Sequence, residues 1–203
     1  MRYDANRKEE TRRKVVQTAA TLVREQGPER LGVSEVMARA GLTHGGFYAH
    51  FRSKEDLLGA AVEEAFAQGR ARFQWIAEGK SPSDGLSAFV DYYVSMSHRG
   101  RPDRGCAIAA LTNDIPRQGP PARRAFDAGV QRLIEAMAER MPAGPPEARF
   151  DIASSCLAEM AGAVALSRAI SDDGVAERLL DQSRRRVRAR LGFPETSYQD
   201  TTS

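Results

Sequence analysis

The amino-acid sequence predicts an all-α protein of about nine helices, with a three-helix N-terminal head and a larger helical domain after it. Apolar residues recur every three or four positions along most of the 203 residues, which is the period of an amphipathic helix. No stretch shows the sustained apolar–polar alternation of a half-buried strand. Glycine and proline divide the helical stretches, as at Gly27-Pro28 and at residues 142–146.

The first predicted helix covers about residues 6–25 and carries basic residues in its first half. A second, short helix over residues 35–40 follows Ser34, whose hydroxyl we expect to cap it. Gly41 stops this helix, because glycine is the preferred residue just after a helix end. Thr43 is then placed to cap another helix, so the sequence predicts two short helices joined by a tight turn.

That next helix is predicted over about residues 44–51. Phe47 and Phe51 lie four residues apart on it, so we expect both side chains to face the interior. The Ser53–Asp56 spacing resembles a capping box that opens a long helix to about residue 75.

The rest of the chain is predicted as further helices separated by a basic loop at 97–105 and a break at 116–121. These helices run from near Pro82 to Val94 and over residues 106–115, 123–141, 147–170 and 174–191.

The composition favours a globular protein of the cytoplasm. Hydrophobic residues make up 41% of the chain and charged residues 28%, as in ordinary globular proteins. No run approaches the roughly 18 apolar residues of a membrane span, and the charged N-terminus lacks the apolar core of a secretory signal. We therefore expect no membrane partner, and reduced thiols at Cys106 and Cys156. The whole net charge of +3 arises within residues 1–58, where it attracts a polyanion.

Two short helices joined by a tight turn form a helix-turn-helix, whose second helix enters the major groove of DNA. Thr43 and His44 lead that helix and are predicted to bond base edges or a phosphate. Tyr48, one turn further, offers its ring to a thymine methyl group and its hydroxyl to a phosphate. Gly45 and Gly46 each cost about 1 kcal/mol in a helix relative to alanine, but they leave a thin face that can approach the duplex closely.

Phosphate contacts are also predicted for His50 and for Lys54, which lies in the first turn of the long helix. The predicted DNA-binding residues are Ser34, Thr43, His44, Gly46, Tyr48, His50 and Lys54.

The stretch from Val33 to Leu58 closely resembles the DNA-binding signature of the TetR family of bacterial transcriptional repressors (TetR/AcrR-like). It ends in the family pattern Tyr-x-His-Phe-x-Ser-Lys-x-x-Leu, here residues 48–57. The chain departs from the family at His44, where Lys or Arg is frequent, and at Gly46, where Thr or Ser is frequent. The resemblance implies a double-stranded DNA operator as partner, recognised in large part through phosphate contacts and DNA shape.

The resemblance also implies a C-terminal domain that binds a small-molecule effector and dimerises. The helix over 147–170 is rich in small residues and, together with 174–191, suits a four-helix interface between two copies. The alternative is that these two helices pack only within one subunit. The predicted dimer residues are Leu157, Ala161, Val164, Leu179 and Val187. The predicted effector-binding residues are Trp75, Tyr92, Tyr93, Met96, Phe126 and Met160. The alternative for each of them is that it only packs in the core.

Cys106 is a further candidate sensor. It follows Gly105 at a predicted helix start, with Arg99, Arg101 and Arg104 just before it. A helix N-terminus and nearby guanidinium groups both favour the thiolate, which reacts with electrophiles and oxidants. The alternative is a small buried residue at a helix start.

Together these features predict a homodimeric, ligand-responsive repressor that binds a palindromic operator and is released by a small molecule or by thiol modification. The alternative is a helix-turn-helix activator or architectural DNA-binding protein without a small-molecule effector. The sequence argues against an enzyme. The three histidines, His44, His50 and His98, are not spaced as metal ligands are, and no nucleophile paired with a general base can be identified. We expect no catalytic residue, no metal and no cofactor.

The predicted division of the chain has three parts. Residues 1–52 form the DNA-binding domain, residues 53–193 the ligand-binding and dimerisation domain, and residues 194–203 a flexible tail.

Overall fold

The computed structural model of the protein describes residues 2–142 and 144–193. Over these ranges the chain forms nine α-helices and three 3-10 helices and contains no strand, which confirms the predicted all-α class. The predicted tail at 194–203 lies outside the described residues.

The helices follow one another along the chain with short connections. The α-helices are α1 (Arg2–Gln26), α2 (Val33–Arg39), α3 (Lys54–Ala77), α4 (Pro82–Tyr93), α5 (Met96–Arg99), α6 (Ala107–Leu111), α7 (Pro120–Ala138), α8 (Pro146–Ala169) and α9 (Asp173–Arg190). The 3-10 helices are η1 (His44–Ala49), η2 (Pro102–Arg104) and η3 (Ile115–Arg117).

Two predicted irregular segments contain short helices instead. The expected loop at 97–105 holds α5, because Ser95 Oγ accepts a hydrogen bond from the His98 backbone N–H at 3.2 Å and caps it, and it also holds η2. The expected break at 116–121 overlaps η3 and the start of α7. Proline at the start of α7 removes no helical hydrogen bond, because the N–H group of the first helical residue has no carbonyl partner within the helix.

The chain forms two compact units, Met1–Gln74 with Arg101–Leu133 and Trp75–Gly100 with Ile134–Ser203. The predicted boundary between a DNA-binding domain at 1–52 and a ligand-binding domain at 53–193 concerns function, and it remains a prediction. The core of the first unit is built from buried apolar residues of α1, α2, η1 and α3. These include Val15, Leu22, Val23, Leu31, Val36, Met37, Phe47, Phe51, Leu57, Leu58 and Val62.

A buried arginine crosses this first core. Arg24 of α1 is only 4% exposed. Its Nε and Nη2 donate to the backbone carbonyl of Asp103 at 3.0 and 2.6 Å, and Nη2 also donates to Gln68 Oε1 at 2.7 Å. Burial lowers the pKa of Arg24, and the nearby Asp103 carboxylate opposes that effect. One guanidinium therefore holds α1, α3 and η2 together.

The second unit is organised by α8 packing along α9. At the end of α8, Arg99 Nε and Nη2 donate to the carbonyls of Ser167 and Ile170, each at 2.8 Å. Arg168 donates in return to the carbonyls of Arg99 and His98, at 3.2 and 3.1 Å. Carbonyl groups at the C-terminal ends of α5 and α8 thus gain arginine donors from the neighbouring helix.

Among the described helices, α8 has the length and apolar composition of a membrane span, and 44% of its most apolar stretch is buried within the protein. A core helix of a globular protein has the same properties.

Gly129 of α7 lies directly against the ring of Phe66 in α3, where a Cβ atom would overlap the ring carbons. We therefore expect Gly129→Ala to destabilise the fold by about 1–3 kcal/mol, the usual effect of overpacking. Gly69→Ala is the matched control, because a Cβ at Gly69 of α3 meets nothing within 4 Å. It should instead stabilise the helix by up to about 1 kcal/mol. Urea denaturation midpoints measure both changes, and equal midpoints for the two variants would contradict this packing.

Candidate nucleic-acid interface

The predicted helix-turn-helix is formed by α2, a tight turn and η1. Ala40 ends α2, and Gly41 follows with φ of +73°. L-residues with side chains rarely adopt this left-handed conformation, so glycine is required where the chain reverses. The turn delivers Thr43 to the N-terminal side of η1.

The second helix of the motif is a 3-10 helix, not the predicted α-helix over 44–51. The Gly46 N–H donates to the Thr43 carbonyl at 3.1 Å, and the His50 N–H donates to the Phe47 carbonyl at 2.9 Å. Two adjacent glycines remove the side chains and the helix propensity that would favour a longer α-helix. Because a 3-10 helix has three residues per turn, Tyr48 lies about a third of a turn around the helix from His44 and not directly above it.

Two phenylalanines anchor this weak helix, as predicted. Phe47 and Phe51 are each only 2% exposed, and their rings stack with centroids 5.6 Å apart. Tyr48 meets the Phe47 ring edge-on at 5.2 Å and is 73% exposed. The anchored side of the segment is therefore apolar and buried, and a tyrosine stands on the open side.

Ser34 does not cap α2 as predicted. The N-cap position is Gly32, which makes no side-chain cap, and Ser34 lies within the first turn. Its Oγ lies 3.0 Å from His44 Nδ1, so it joins α2 to the first residue of η1. His44, Thr43 and Ser34 are all exposed, and Gly46 is half-buried.

The helix after η1 begins as predicted. Ser53 Oγ accepts the Asp56 N–H at 3.1 Å, and the Asp56 carboxylate accepts the Arg52 N–H at 3.2 Å. This capping pair fixes the start of α3, and the exposed Lys54 is its first residue. Lys54 Nζ makes only a long contact, 3.4 Å, with the Glu29 carbonyl. Because this exposed contact is weak, the Lys54 ammonium group can exchange it for another partner with little loss of free energy.

His50, predicted to meet a phosphate, closes η1 beside basic residues of α1. Its Nδ1 is buried with no hydrogen-bond partner. Burial lowers the pKa of His50, and the positive charges of Lys8 and Arg12 lower it further. Arg12 also lies over the Phe51 ring, 5.0 Å from its centroid. The basic first half of α1 and the end of η1 therefore form one positively charged surface.

The predicted effector residues occupy different environments. Tyr93 and Met160 are buried in the core of the second unit, whereas Trp75 is 70% exposed. Tyr92 is half-buried and stacks on His98, with ring centroids 5.5 Å apart. The half-buried Met96 begins α5.

Phe126 lies in the first unit and packs edge-on against Phe66 at 5.5 Å. An open cavity of about 470 Å³ is lined by polar and charged residues of α1, Val16 and Glu64. None of the predicted effector residues is among its lining residues.

Four of the five predicted dimer residues are already covered within one chain. Leu157, Ala161, Val164 and Val187 are at most 7% exposed, because α8 and α9 pack on each other. A partner subunit would gain little apolar area from these four residues, and their assignment to an interface remains a prediction. Leu179 remains half-buried.

Cys106 is the N-cap residue of α6 and is half-exposed. Each of the three arginines that precede it in the sequence pairs with a carboxylate. Arg99 pairs with Asp173 at 2.8 Å, and Arg101 and Arg104 pair with Asp103. Arg24, which the sequence analysis did not identify, also lies close enough to Cys106 for an electrostatic interaction. Its position in the last turn of α1 gives no local signal of a contact with a residue so far away along the chain.

The lowered pKa of His50 predicts a pH-dependent stability. The unfolded chain binds a proton at the ordinary histidine pKa of 6.5, whereas the folded chain resists protonation. The contribution of His50 to stability is therefore intact well above pH 6.5 and is lost as the pH falls through that value. We expect the urea midpoint to fall less between pH 7.5 and pH 5.5 for His50→Gln than for the wild-type protein. An identical fall in both proteins would contradict the assigned environment.

Comparison with known proteins agrees with the motif. Residues 15–61 match the model for bacterial regulatory proteins of the tetR family. An uncharacterised HTH-type transcriptional regulator of Mycobacterium tuberculosis is 29% identical over 170 residues, which span 79% of this chain and 86% of the relative. The HTH-type transcriptional repressor NemR of Escherichia coli is 23% identical over 137 residues, which span 66% and 69% of the two chains.

Solved structures show the same fold. The crystal structure of the reduced form of E. coli NemR superposes with a TM-score of 0.74, covering 92% of this chain and all of that chain at 21% identity. A TetR transcriptional regulator from Chloroflexus aurantiacus gives a TM-score of 0.69 at 28% identity, covering 88% and 94% of the two chains. The family match over residues 15–61, the relatives and the solved structures together support a DNA-binding transcriptional regulator of the TetR family with an N-terminal helix-turn-helix.

Proposed function

We propose that this regulator is a cytoplasmic homodimeric repressor that binds a palindromic operator and is released by a small-molecule effector or by modification of Cys106. The observation that carries the proposal is the two-sided segment η1. Phe47 and Phe51 are buried beneath it, and the exposed His44 and Tyr48 are free to meet DNA. Each head would insert η1 into the major groove at one half-site.

Close approach of the backbone to DNA explains the two glycines of η1. A Cβ at Gly45 would meet nothing within 4 Å, and one at Gly46 would make an ordinary 3.6 Å contact with Met37. Packing within the chain therefore requires neither glycine. A surface without side chains at these positions lets base edges and phosphates come near the backbone of η1.

The positively charged surface around His50 is suited to bind the phosphates on either side of the major groove. Lys8 and Arg12 approach from α1, and Lys54 lies at the start of α3. Together they would hold the duplex on both sides of η1, with contacts that fix position and not sequence.

For the dimer, we propose a face of α8 next to the predicted one. Ala158, Leu166 and Ala169 are exposed, and Gly162 between them is half-buried. A Cβ at Gly162 would meet nothing within 4 Å. On α9, Val175 is 41% exposed and Leu179 follows one turn later. These residues would form the isologous contact of a twofold dimer.

The proposal includes two ways in which the protein could be released from its operator: binding of a small molecule and modification of Cys106. Tyr92 and Met96 supply half-buried aromatic and flexible surface for an effector. Cys106 is half-exposed and interacts with the buried Arg24, and a cation beside a thiol favours the reactive thiolate. Unchanged operator release by quinones or hypochlorite in Cys106→Ser would rule out the thiol route. A thermal shift with a panel of aromatic or cationic compounds would test the small-molecule route.

Repression itself is tested with a reporter gene placed behind the operator. The proposal requires lower transcription when the protein is present and recovery when the inducing compound is added. Higher transcription in the presence of the protein would identify an activator.

The phosphate contact of Lys54 predicts a specific salt effect. Each phosphate contact contributes about 0.9 to the slope of log affinity against log salt, so Lys54→Ala in both subunits should reduce the slope by about 1.8 on any duplex. Lys80→Ala is the matched control, because Lys80 is exposed in the second unit and its Nζ only contacts the Ile76 carbonyl at 2.8 Å. Fluorescence anisotropy at several salt concentrations measures both. An unchanged slope for Lys54→Ala would contradict the phosphate contact.

The dimer face predicts a second effect. Ala158→Arg places a charge in the proposed contact, and an uncompensated buried charge costs about 3–5 kcal/mol. We expect this variant to sediment as a monomer at micromolar concentration. Ala71→Arg, at an exposed position of α3, should keep the wild-type mass. A dimeric Ala158→Arg protein would contradict the proposed face.

A further inference from the structure

One hydrogen bond in the head connects two residues that were each expected to contact DNA on their own. Ser34 Oγ of α2 lies 3.0 Å from His44 Nδ1, at the first position of η1. Both side chains are exposed. Since this contact occupies Nδ1, the ring nitrogen left for DNA is Nε2.

The partner of one imidazole nitrogen determines what the other can do. A neutral histidine has one N–H donor and one acceptor nitrogen, and a protonated histidine has two donors. The serine hydroxyl has a single proton, which it either donates in a hydrogen bond to Nδ1 or directs toward another acceptor. The pair therefore has three states, which differ in whether Nε2 carries a proton.

Two of these states place a proton on Nε2. When the Ser34 hydroxyl donates to Nδ1, the neutral ring carries its proton on Nε2. When the ring is protonated, Nδ1–H donates to Ser34 Oγ and Nε2–H is again a donor. Only a neutral ring with its proton on Nδ1 presents a bare Nε2. An acceptor atom on DNA selects the two donor states over the third, because a bare Nε2 has no proton to donate.

We propose that His44 Nε2–H donates to N7 of a guanine in each operator half-site, and that Ser34 is the positioning residue that holds the ring for this contact. Guanine is the base whose major-groove edge offers two neighbouring acceptors, N7 and O6, and no donor. Adenine offers N7 beside an amino donor, thymine offers O4 beside a methyl group, and cytosine offers only an amino donor. This assignment rests on the proposed function, since it requires η1 to lie in the major groove.

The experiment uses the full-length protein and an operator obtained by selection from a random duplex pool. Each guanine of one half-site is replaced in turn by 7-deazaguanine, which lacks the N7 acceptor and keeps the Watson–Crick pairing. We expect one replacement to weaken binding of the wild-type protein about five- to tenfold, the effect of one hydrogen bond. The same replacement should have no effect on His44→Ala.

Variants at position 34 separate positioning from a general structural role. Ser34→Ala leaves the ring without its partner, so the 7-deazaguanine effect should fall to about twofold or less. Ser34→Thr keeps a hydroxyl and should restore the effect. Lys54→Ala is the control, because it should weaken binding to the normal and modified duplexes equally.

The outcomes are distinguishable. Sequence-specific binding that is indifferent to every 7-deazaguanine, or equally sensitive in the wild type and His44→Ala, would overturn this assignment and leave the proposed function standing. A full 7-deazaguanine effect in Ser34→Ala would overturn the positioning role of Ser34. Failure of the wild-type protein to select any duplex would overturn the proposed function and this assignment with it.

Discussion

The burial of Phe47 and Phe51 is the interaction on which the DNA-facing surface depends. Six residues that include two adjacent glycines form a 3-10 helix with few backbone hydrogen bonds, so the segment has little stability of its own. Full burial of each phenylalanine contributes about 1.5–3 kcal/mol. With both rings in the core, Tyr48 is directed to the open side of η1. The same anchoring lets His44 reach Ser34 on α2.

A second constraint acts within the same unit through Arg24. Its guanidinium is buried and bonded to the carbonyl of Asp103 and to Gln68, so α1 and η2 are held together by charge-assisted bonds. η2 leads directly to Cys106, the N-cap of α6. The helix that carries the basic surface of the head is therefore bonded to the segment that carries the candidate sensor thiol.

The sequence predicted what is encoded locally. The all-α class, the turn at Gly41, the inward Phe47 and Phe51 and the cap at Ser53 each follow from spacing and residue type, and the structure confirms them. The 3-10 form of η1 was missed, because apolar spacing over eight residues does not separate the two kinds of helix. Ser34 looked like a cap, since its real partner His44 becomes a neighbour only after the turn is formed. The predicted dimer residues remain untested, but four of the five are buried within one chain, because α9 packs along the side of α8 that the pattern favoured.

These features support the proposal of a head that holds a duplex mainly through phosphates and reads few bases. Lys54 and the basic residues Lys8 and Arg12 of α1 supply positive charge on both sides of η1, whereas His44 and Tyr48 are its main exposed side chains. The central claim is that two copies of this head read one DNA site together. Selection of bound duplexes from a random pool by the full-length protein tests it most directly. The account predicts enrichment of an inverted repeat whose half-sites are separated by about 10 base pairs or a multiple of that distance. Recovery of unrelated duplexes without a repeated half-site would contradict it.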